Sequence, residues 1–177
     1  STARWAKGTP MEKGVRSPLV VSLPAGAGAG RKLDALIDLV DVHATVLDYA
    51  GASLPAESRG RSLRALLEGR AFEPRARLCG AVYARYDVDL PFALYARDER
   101  WKYVLYLRDV TSKELTPGAM LAPPFHARAG TERLYDLTED PLEKRSLAGN
   151  EEQAERTRSL RESALAWWRE SGGAALD

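Results

Sequence analysis

Trp5-Ala6-Lys7-Gly8-Thr9-Pro10-Met11-Glu12-Lys13-Gly14-Val15-Arg16-Ser17-Pro18-Leu19-Val20-Val21 runs from a broken, charged segment straight into an apolar one. Gly8, Pro10 and Gly14 interrupt any long helix, because glycine opens unusual backbone angles and proline fixes φ and lacks an N–H. Pro18 pushes Ser17 toward extended geometry. Leu19-Val20-Val21 then predicts a short buried strand, closed by Pro24 and the glycines that follow. A cation-bearing, glycine-punctuated loop thus feeds a core strand, a common way to hold a reactive group on a rigid frame. Glu12 and Arg16 are expected to form a structural ion pair that fixes the loop.

Outward from this stretch, Ala25-Gly26-Ala27-Gly28-Ala29-Gly30 lacks the Lys-Ser/Thr ending of a P-loop and the spacing of a dinucleotide fingerprint, so it reads as a surface turn. Leu39 to Ala50 carries the best helical pattern, with Leu39, Val42, Val46 and Tyr49 on one face, Asp38 at the N-cap position and Gly51 as the stop. His43 lies within it and reads as a surface or core-edge residue, since no second ligand sits one turn away. A loop through Arg59-Gly60-Arg61-Ser62 leads to a helical turn at Leu63, Leu66 and Leu67 that ends at Gly69, with Ser62 as its cap. The Arg59, Arg61 and Arg64 group reads as a solvated face before an anion site.

Past Pro74 the pattern changes from helix to strand. Leu78 to Tyr83 predicts a strand holding Cys79, and Phe92 to Arg97 with Trp101 to Leu107 predicts a hairpin. Trp101, Tyr103, Leu105 and Leu107 alternate with Lys102, Val104 and Tyr106, which predicts a half-buried strand. Thr111 to Gly130 reads as a long loop with His126 on its surface. Leu134 to Leu137 is a short strand ended by the turn Glu139-Asp140-Pro141. Glu151 to Glu170 is a long amphipathic helix whose Leu160, Ala164, Trp167 and Trp168 face a core.

The 177 residues are 45% hydrophobic and 29% charged, a balance that supports a globular core. A formal net charge of +1 argues against a dedicated nucleic-acid binder, since no excess of cations is present to neutralise phosphates. One cysteine excludes an internal disulfide framework and a cysteine-rich zinc site, and two distant histidines argue against a metal site built from this chain alone. No apolar run is long enough to span a membrane. The chain starts at Ser1 without an initiator Met and enters mid-motif, which leads to the expectation of an N-terminal truncation.

Five fragments resemble the sulfatase family in that family's own order. The opening stretch, through Trp5, Lys7, Gly8, Thr9, Glu12, Gly14, Arg16 and Pro18, resembles its lysine loop. Leu39, Asp41, Thr45, Leu47, Asp48, Ala50 and Gly51 look like its L-I-D-L-x-P-T-L-L-D-L-A-G helix, with Ala44 in place of the proline. Gly60-Arg61-Ser62-Leu63 with Leu66-Leu67 is similar to its G-R-S-L segment. Arg100-Trp101-Lys102-Tyr103 resembles its Lys-Tyr strand, and Leu134-Tyr135-Asp136-Leu137 with Asp140-Pro141 and Glu143 resembles L-Y-D-L-x-x-D-P-x-E.

The resemblance implies an α/β fold, α+β for the piece itself: residues 1–74 as the end of a sulfatase α/β catalytic domain, and residues 75–177 as an antiparallel-sheet subdomain with a terminal helix. It implies a fragment of an enzyme that hydrolyses a small-molecule or saccharide sulfate ester, with Lys7 as the catalytic cation on the sulfate. It also implies calcium and a formylglycine nucleophile in the full-length protein, held by none of these residues: Cys79 precedes Gly80-Ala81-Val82-Tyr83 and not x-Pro-x-Arg. The fragment alone is expected to show no turnover, and its first half to be aggregation-prone. Family members are often exported. A phosphonate or phosphodiester hydrolase of the same superfamily and a non-catalytic stand-alone binding module are the alternatives; oligomeric state is not read from the sequence.

Overall fold

A computed structural model describes residues 8–83, 90–111 and 126–176. Two compact units make up the chain. One joins the segment ending at Ser17 to everything from Cys79 onward, and the other is Pro18–Leu78.

The first unit is a four-stranded sheet with strand order β1-β2-β3-β6. Its strands are β1 (Leu78–Val82), β2 (Ala93–Arg97), β3 (Trp101–Tyr106) and β6 (Glu132–Asp136). β2 and β3 form an antiparallel hairpin in the register Ala93 to Tyr106 and Arg97 to Lys102, and β3 pairs antiparallel with β6 from Trp101–Asp136 to Leu105–Glu132. The turn between β2 and β3 is fixed by Asp98, whose Oδ1 accepts the N–H groups of Arg100 and Trp101 at 2.9 and 2.6 Å. Within the stretch expected as a loop, β4 (Val110–Thr111) pairs with β5 (His126–Ala127). The correction follows from Val110 and Ala127, both buried against the sheet, which give a two-residue ladder an apolar anchor.

β3 departs from the half-buried expectation: all six of its residues are buried. It is a central strand with both faces covered. On one face Leu94, Ala96, Trp101, Tyr103, Leu105 and Leu134 pack against Leu160, Ala164 and Trp168 of the last helix, α4 (Ala154–Glu170). Asn150 opens the 3-10 turn leading into that helix, accepting the Glu152 N–H at 2.9 Å. On the other face Ala93, Val104, Tyr106 and Tyr135 meet Phe92, Val110, Ala127 and Met11. Met11 is therefore core, and it precedes α1 (Glu12–Val15).

The second unit holds α2 (Val40–Tyr49) and α3 (Arg64–Leu67). Asp38 and Asp41 form a reciprocal N-terminal cap: Asp38 Oδ1 accepts from the Val40 N–H at 3.4 Å, and Asp41 Oδ2 accepts from the Asp38 N–H at 2.8 Å. α2 buries Asp41, Ala44 and Thr45, whereas Leu39, Val46 and Tyr49 of the expected apolar stripe are exposed. Polar satisfaction decides which face turns inward. Asp41 takes the Arg61 N–H at 2.8 Å and is paired by Arg75, and Thr45 Oγ1 takes the Leu63 N–H at 2.9 Å, so the 60–63 loop lies along that face. Gly60 permits the approach, since a Cβ there would fall 2.5 Å from the Val40 carbonyl oxygen. Ser62 Oγ accepts the Arg64 N–H at 3.1 Å, but Leu63 stands at the N-cap of α3, so the serine lies one residue ahead of the position expected for it.

Leu19-Val20-Val21 is not a buried strand. No strand is formed there, and the three side chains are exposed, Val20 by 92%. A strand needs a partner for its backbone groups, and none of the described strands pairs with this segment.

Candidate functional site

The described part of the lysine loop begins at Gly8, in the left-handed region at φ 87°. Thr9, Pro10 and Met11 are buried. Gly14 folds back so tightly that an added Cβ would collide with the Thr9 carbonyl oxygen. From Met11 onward the loop is seated in the sheet unit by apolar packing and charge.

Glu12 is the centre of that seat. Its Oε1 accepts from Lys102 Nζ at 3.0 Å and its Oε2 from Arg97 Nη1 at 2.6 Å. The two cations lie directly opposite each other across the β2–β3 ladder. Like charges in that relation repel, and the Glu12 carboxylate bridges them. Glu143 completes the group. Its Oε2 accepts the Glu12 N–H at 2.6 Å, and its Oε1 stands 3.1 Å from Lys102 Nζ. This last contact is an ion pair without hydrogen-bond alignment, since Oε1 has no hydrogen-bond partner. Two carboxylates and two cations give a neutral quartet. Lys102 Nζ also stands 5.7 Å from the centre of the Tyr95 ring, within cation–π range.

The environment is dry. The Lys102 side chain is fully buried, and that of Glu143 is 3% exposed. Burial pushes the Glu143 carboxyl above its ordinary value; Lys102 and the Glu12 N–H pull the other way without cancelling it. Glu143 also holds a left-handed backbone at φ 52°, a conformation a non-glycine side chain keeps only when its surroundings determine it. Losing one partner of a buried pair costs about 3–5 kcal/mol, because the other charge is left uncompensated. The quartet is therefore strongly directional in holding the loop.

The expected pairing of Glu12 with Arg16 is corrected by this geometry. Arg16 is exposed and leaves α1 with extended angles, and its N–H donates to the Glu12 carbonyl. The Glu12 carboxylate turns inward, toward residues 85 and 90 positions later. Lys7, the expected catalytic cation, lies outside the described residues, and so does the side chain of His126. His43 is exposed. Arg64 is committed to Glu68 at 2.8 Å and Asp48 at 3.3 Å. Among the described residues no three His, Cys, Asp or Glu side chains gather to hold a metal ion, and no helix is long and apolar enough to cross a membrane. The Cys79 thiol lies 3.6 Å from the Ser163 carbonyl oxygen, between β1 and α4.

Glu12, Lys102 and Glu143 each stand in one of the motif fragments, but the sequence places them in three unconnected segments. Only folding brings the lysine loop, the Lys-Tyr strand and the D-P-x-E turn to one point. Arg97 carried no motif signal; its position opposite Lys102 in the hairpin register is the feature that could have found it.

A lysine loop seated on an antiparallel sheet closed by a terminal helix is the C-terminal architecture of a sulfatase-like hydrolase. Residues 4–118 match the family model described as N-sulphoglucosamine sulphohydrolase, C-terminal, and the chain belongs to this family. It is 26% identical to an ulvan-active sulfatase of Formosa agariphila over 94% of this chain and 35% of that protein. It is 25% identical to an N-acetylglucosamine-6-O-sulfatase of Bacteroides thetaiotaomicron over 82% of this chain and 23% of that protein. The chain thus spans about a third or less of these curated relatives. Among solved structures, a phosphonate monoester hydrolase of Agrobacterium radiobacter superposes with a TM-score of 0.57 at 23% identity, over 80% of this chain and 26% of that one. An enzyme in complex with its substrate D-glucosamine-2-N,6-O-disulfate superposes with a TM-score of 0.56 at 19% identity, over 77% and 24%. These two likenesses establish the fold.

Proposed function

We propose that this chain is the C-terminal segment of a hydrolase that cleaves the sulfate ester of a saccharide, giving the alcohol and inorganic sulfate. On this reading residues 1–74 end its α/β catalytic domain and residues 75–177 form a sheet-and-helix subdomain, with the segment ending at Ser17 packed in the sheet unit. The observation that carries the reading is the family match over residues 4–118, which spans the whole lysine loop. Relatives named ulvan-active sulfatase and N-acetylglucosamine-6-O-sulfatase support the saccharide, and one named arylsulfatase supports the sulfate ester alone.

Lys7 is the residue we assign to the chemistry. Cleavage of a sulfate ester develops negative charge on the sulfuryl oxygens and the leaving oxygen, and a preplaced cation lowers that barrier most where water is excluded. Lysine supplies a compact charge with three donors on a flexible stem. Formylglycine and calcium, where the enzyme uses them, supply the nucleophile and a second positive charge. Among the described residues no three His, Cys, Asp or Glu side chains gather to hold a metal ion, and Cys79 lacks the x-Pro-x-Arg sequence.

The test uses the enzyme that contains this segment, assayed on sulfated monosaccharides, an aryl sulfate and a phosphonate monoester. The sulfate esters are expected to turn over fastest, and Lys7→Ala to lower kcat/KM by roughly 100-fold or more, the usual effect of removing one charge-stabilising donor. Unchanged turnover in Lys7→Ala removes the catalytic role. A preference for the phosphonate ester replaces the sulfatase reading with the phosphonate hydrolase one.

A further inference from the structure

A cleft of about 460 Å³ opens in the sheet unit where β3 begins and β6 ends, with Trp101 and Leu147 as its apolar lining. Small-molecule sites span roughly 300–1,000 Å³. Three carboxylates and three cations also line it, but they are not equally available. Asp136 Oδ2 is engaged by Arg100 at 2.6 and 3.0 Å, and its Oδ1 by the Thr138 and Glu139 N–H groups. Asp140 accepts the Arg145 N–H at 2.8 Å. Among the described residues, the Lys144 ammonium, the Arg145 guanidinium and the Glu139 carboxylate make no hydrogen bond or ion pair. Arg100 bonds Asp136 through Nε and Nη2, which leaves its Nη1 donors. The available charge is therefore positive. The wall is also built beforehand. Arg156 and Arg100 lie 4.3 and 5.2 Å from the Trp101 ring, and cation–π attraction holds both guanidinium groups there. The Glu143 N–H donates to the Asp140 carbonyl at 3.0 Å and the Glu143 side chain is anchored on Lys102, so the backbone that carries Lys144 and Arg145 needs little ordering on binding.

We propose that this cleft binds an anionic saccharide, with the charged oxygen group on Lys144 and Arg145 and the ring hydroxyls on Glu139, Gln153 and the Arg100 Nη1 donors. The positive excess selects an anion, because a cleft lined by one sign of charge concentrates the opposite one. The remaining lining calls for more than an inorganic ion. Glu139 offers an acceptor, Arg100 offers donors, and Gln153, whose Oε1 takes the Arg156 Nε at 3.3 Å, keeps its amide NH2 to donate. A sugar ring meets all of these, with hydroxyls that donate and accept around an apolar C–H face for Trp101 and Leu147. A purely apolar ligand would desolvate Glu139 and Gln153 without replacing their hydrogen bonds to water.

The test is protection of Lys144 from acetylation by an N-hydroxysuccinimide ester in the dilute 177-residue chain, read by mass spectrometry, with the exposed Lys32 as control. Glucose 6-sulfate and glucuronate are the charged saccharides, and glucose and inorganic sulfate probe the ring and the charge separately. At least one charged sugar is expected to slow the acetylation of Lys144 saturably and to leave Lys32 unchanged. Glucose and inorganic sulfate should each need about tenfold more for the same protection, the ratio that a lost ionic or ring contact of ordinary strength gives. Arg145→Gln removes one charge-assisted contact and is expected to raise the half-protecting concentration by about tenfold. Arg145 is exposed, and its backbone bond to Asp140 does not depend on the side chain, so this variant keeps the fold. No protection by either charged sugar, or equal protection by glucose or by inorganic sulfate, overturns the proposal. Protection that extends to Lys32, or that Arg145→Gln leaves unchanged, overturns it as well. Turnover is not measured, so each of these outcomes leaves the sulfatase reading intact.

Discussion

Gly60 and Glu143 show how much a single position constrains this chain. Gly60 lies so close to α2 that a Cβ would meet the Val40 carbonyl at 2.5 Å and the Ala44 methyl at 2.9 Å. Both neighbours belong to a helix that cannot yield locally. Gly60→Ala is expected to destabilise residues 18–78 by about 2 kcal/mol, as overpacking does, read as a lowered urea midpoint for α2 unfolding. Glu143 gives a pH signature. Its folded carboxyl is raised above the ordinary 4.5, so the contribution of its protonated form is complete below that value and is lost as pH rises through the folded pKa. The stability of Glu143→Gln should therefore gain on wild type as pH rises from 4.5, measured by denaturation midpoints at several pH values; a constant difference would show that Glu143 does not titrate differently in the two states. Asp41 has the opposite sign. Burial raises its carboxyl, but Arg75 and the Asp38 and Arg61 N–H groups together bring it below 3.8, so its contribution is present above 3.8 and is lost as pH falls through the folded pKa. Glu12 marks the limit of residue-level reading. A Glu and an Arg four apart suggest a local pair, and nothing in the spacing tells of two cations 85 and 90 residues away.

Among the elements, the helices and strands were legible, and their partners less so. The capped pattern at 39–50 became α2 at Val40–Tyr49, and the alternation at 101–107 became β3. Hydrophobic period reports which face favours burial, yet α2 turned its Asp41 and Thr45 side inward because the 60–63 loop needs those acceptors. Leu39 at 58% and Val46 at 60% exposure are the result, alongside Val20. The 177-residue chain is accordingly expected to bind a hydrophobic dye and to self-associate with rising concentration. Substituting Val20 and Val46 by Glu should abolish most of the dye signal while leaving the far-ultraviolet circular dichroism unchanged. Persistence of the signal would locate the sticky surface elsewhere. The strand expected at Leu19–Val21 failed for a related reason, since an apolar run does not supply the neighbour that a ladder requires.

For the whole molecule, the two units are unequally built. Residues 18–78 bury Leu36, Ala44 and Leu63 as their apolar core, whereas the sheet unit buries two full clusters. Burial is the main favourable term in folding, so the smaller core is expected to give way first in urea. Hydrogen exchange should show the α2 amides exposed before those of β3. Tryptophan fluorescence reports the later step, because residues 18–78 contain no tryptophan. Coincident transitions would mean that the units unfold as one. The mixed α/β class, the antiparallel sheet and the closing helix were all visible in the order of motifs. The point at which three of those motifs meet was not, because it is a property of the packed sheet.

The bond between the Glu12 N–H and Glu143 spans 131 positions of the chain, and a ribosome makes the two ends at different times. At roughly 5–20 residues per second, the loop emerges on the order of ten seconds before the turn that secures it. Until then the Glu12 carboxylate can meet Arg97 and Lys102, but its N–H lacks its acceptor and Lys102 lacks its second carboxylate. Vectorial synthesis thus makes the loop an early part of this segment to appear and among the last to mature, and a message cut short before codon 143 would yield a chain that carries Glu12 without the carboxylate that accepts its N–H.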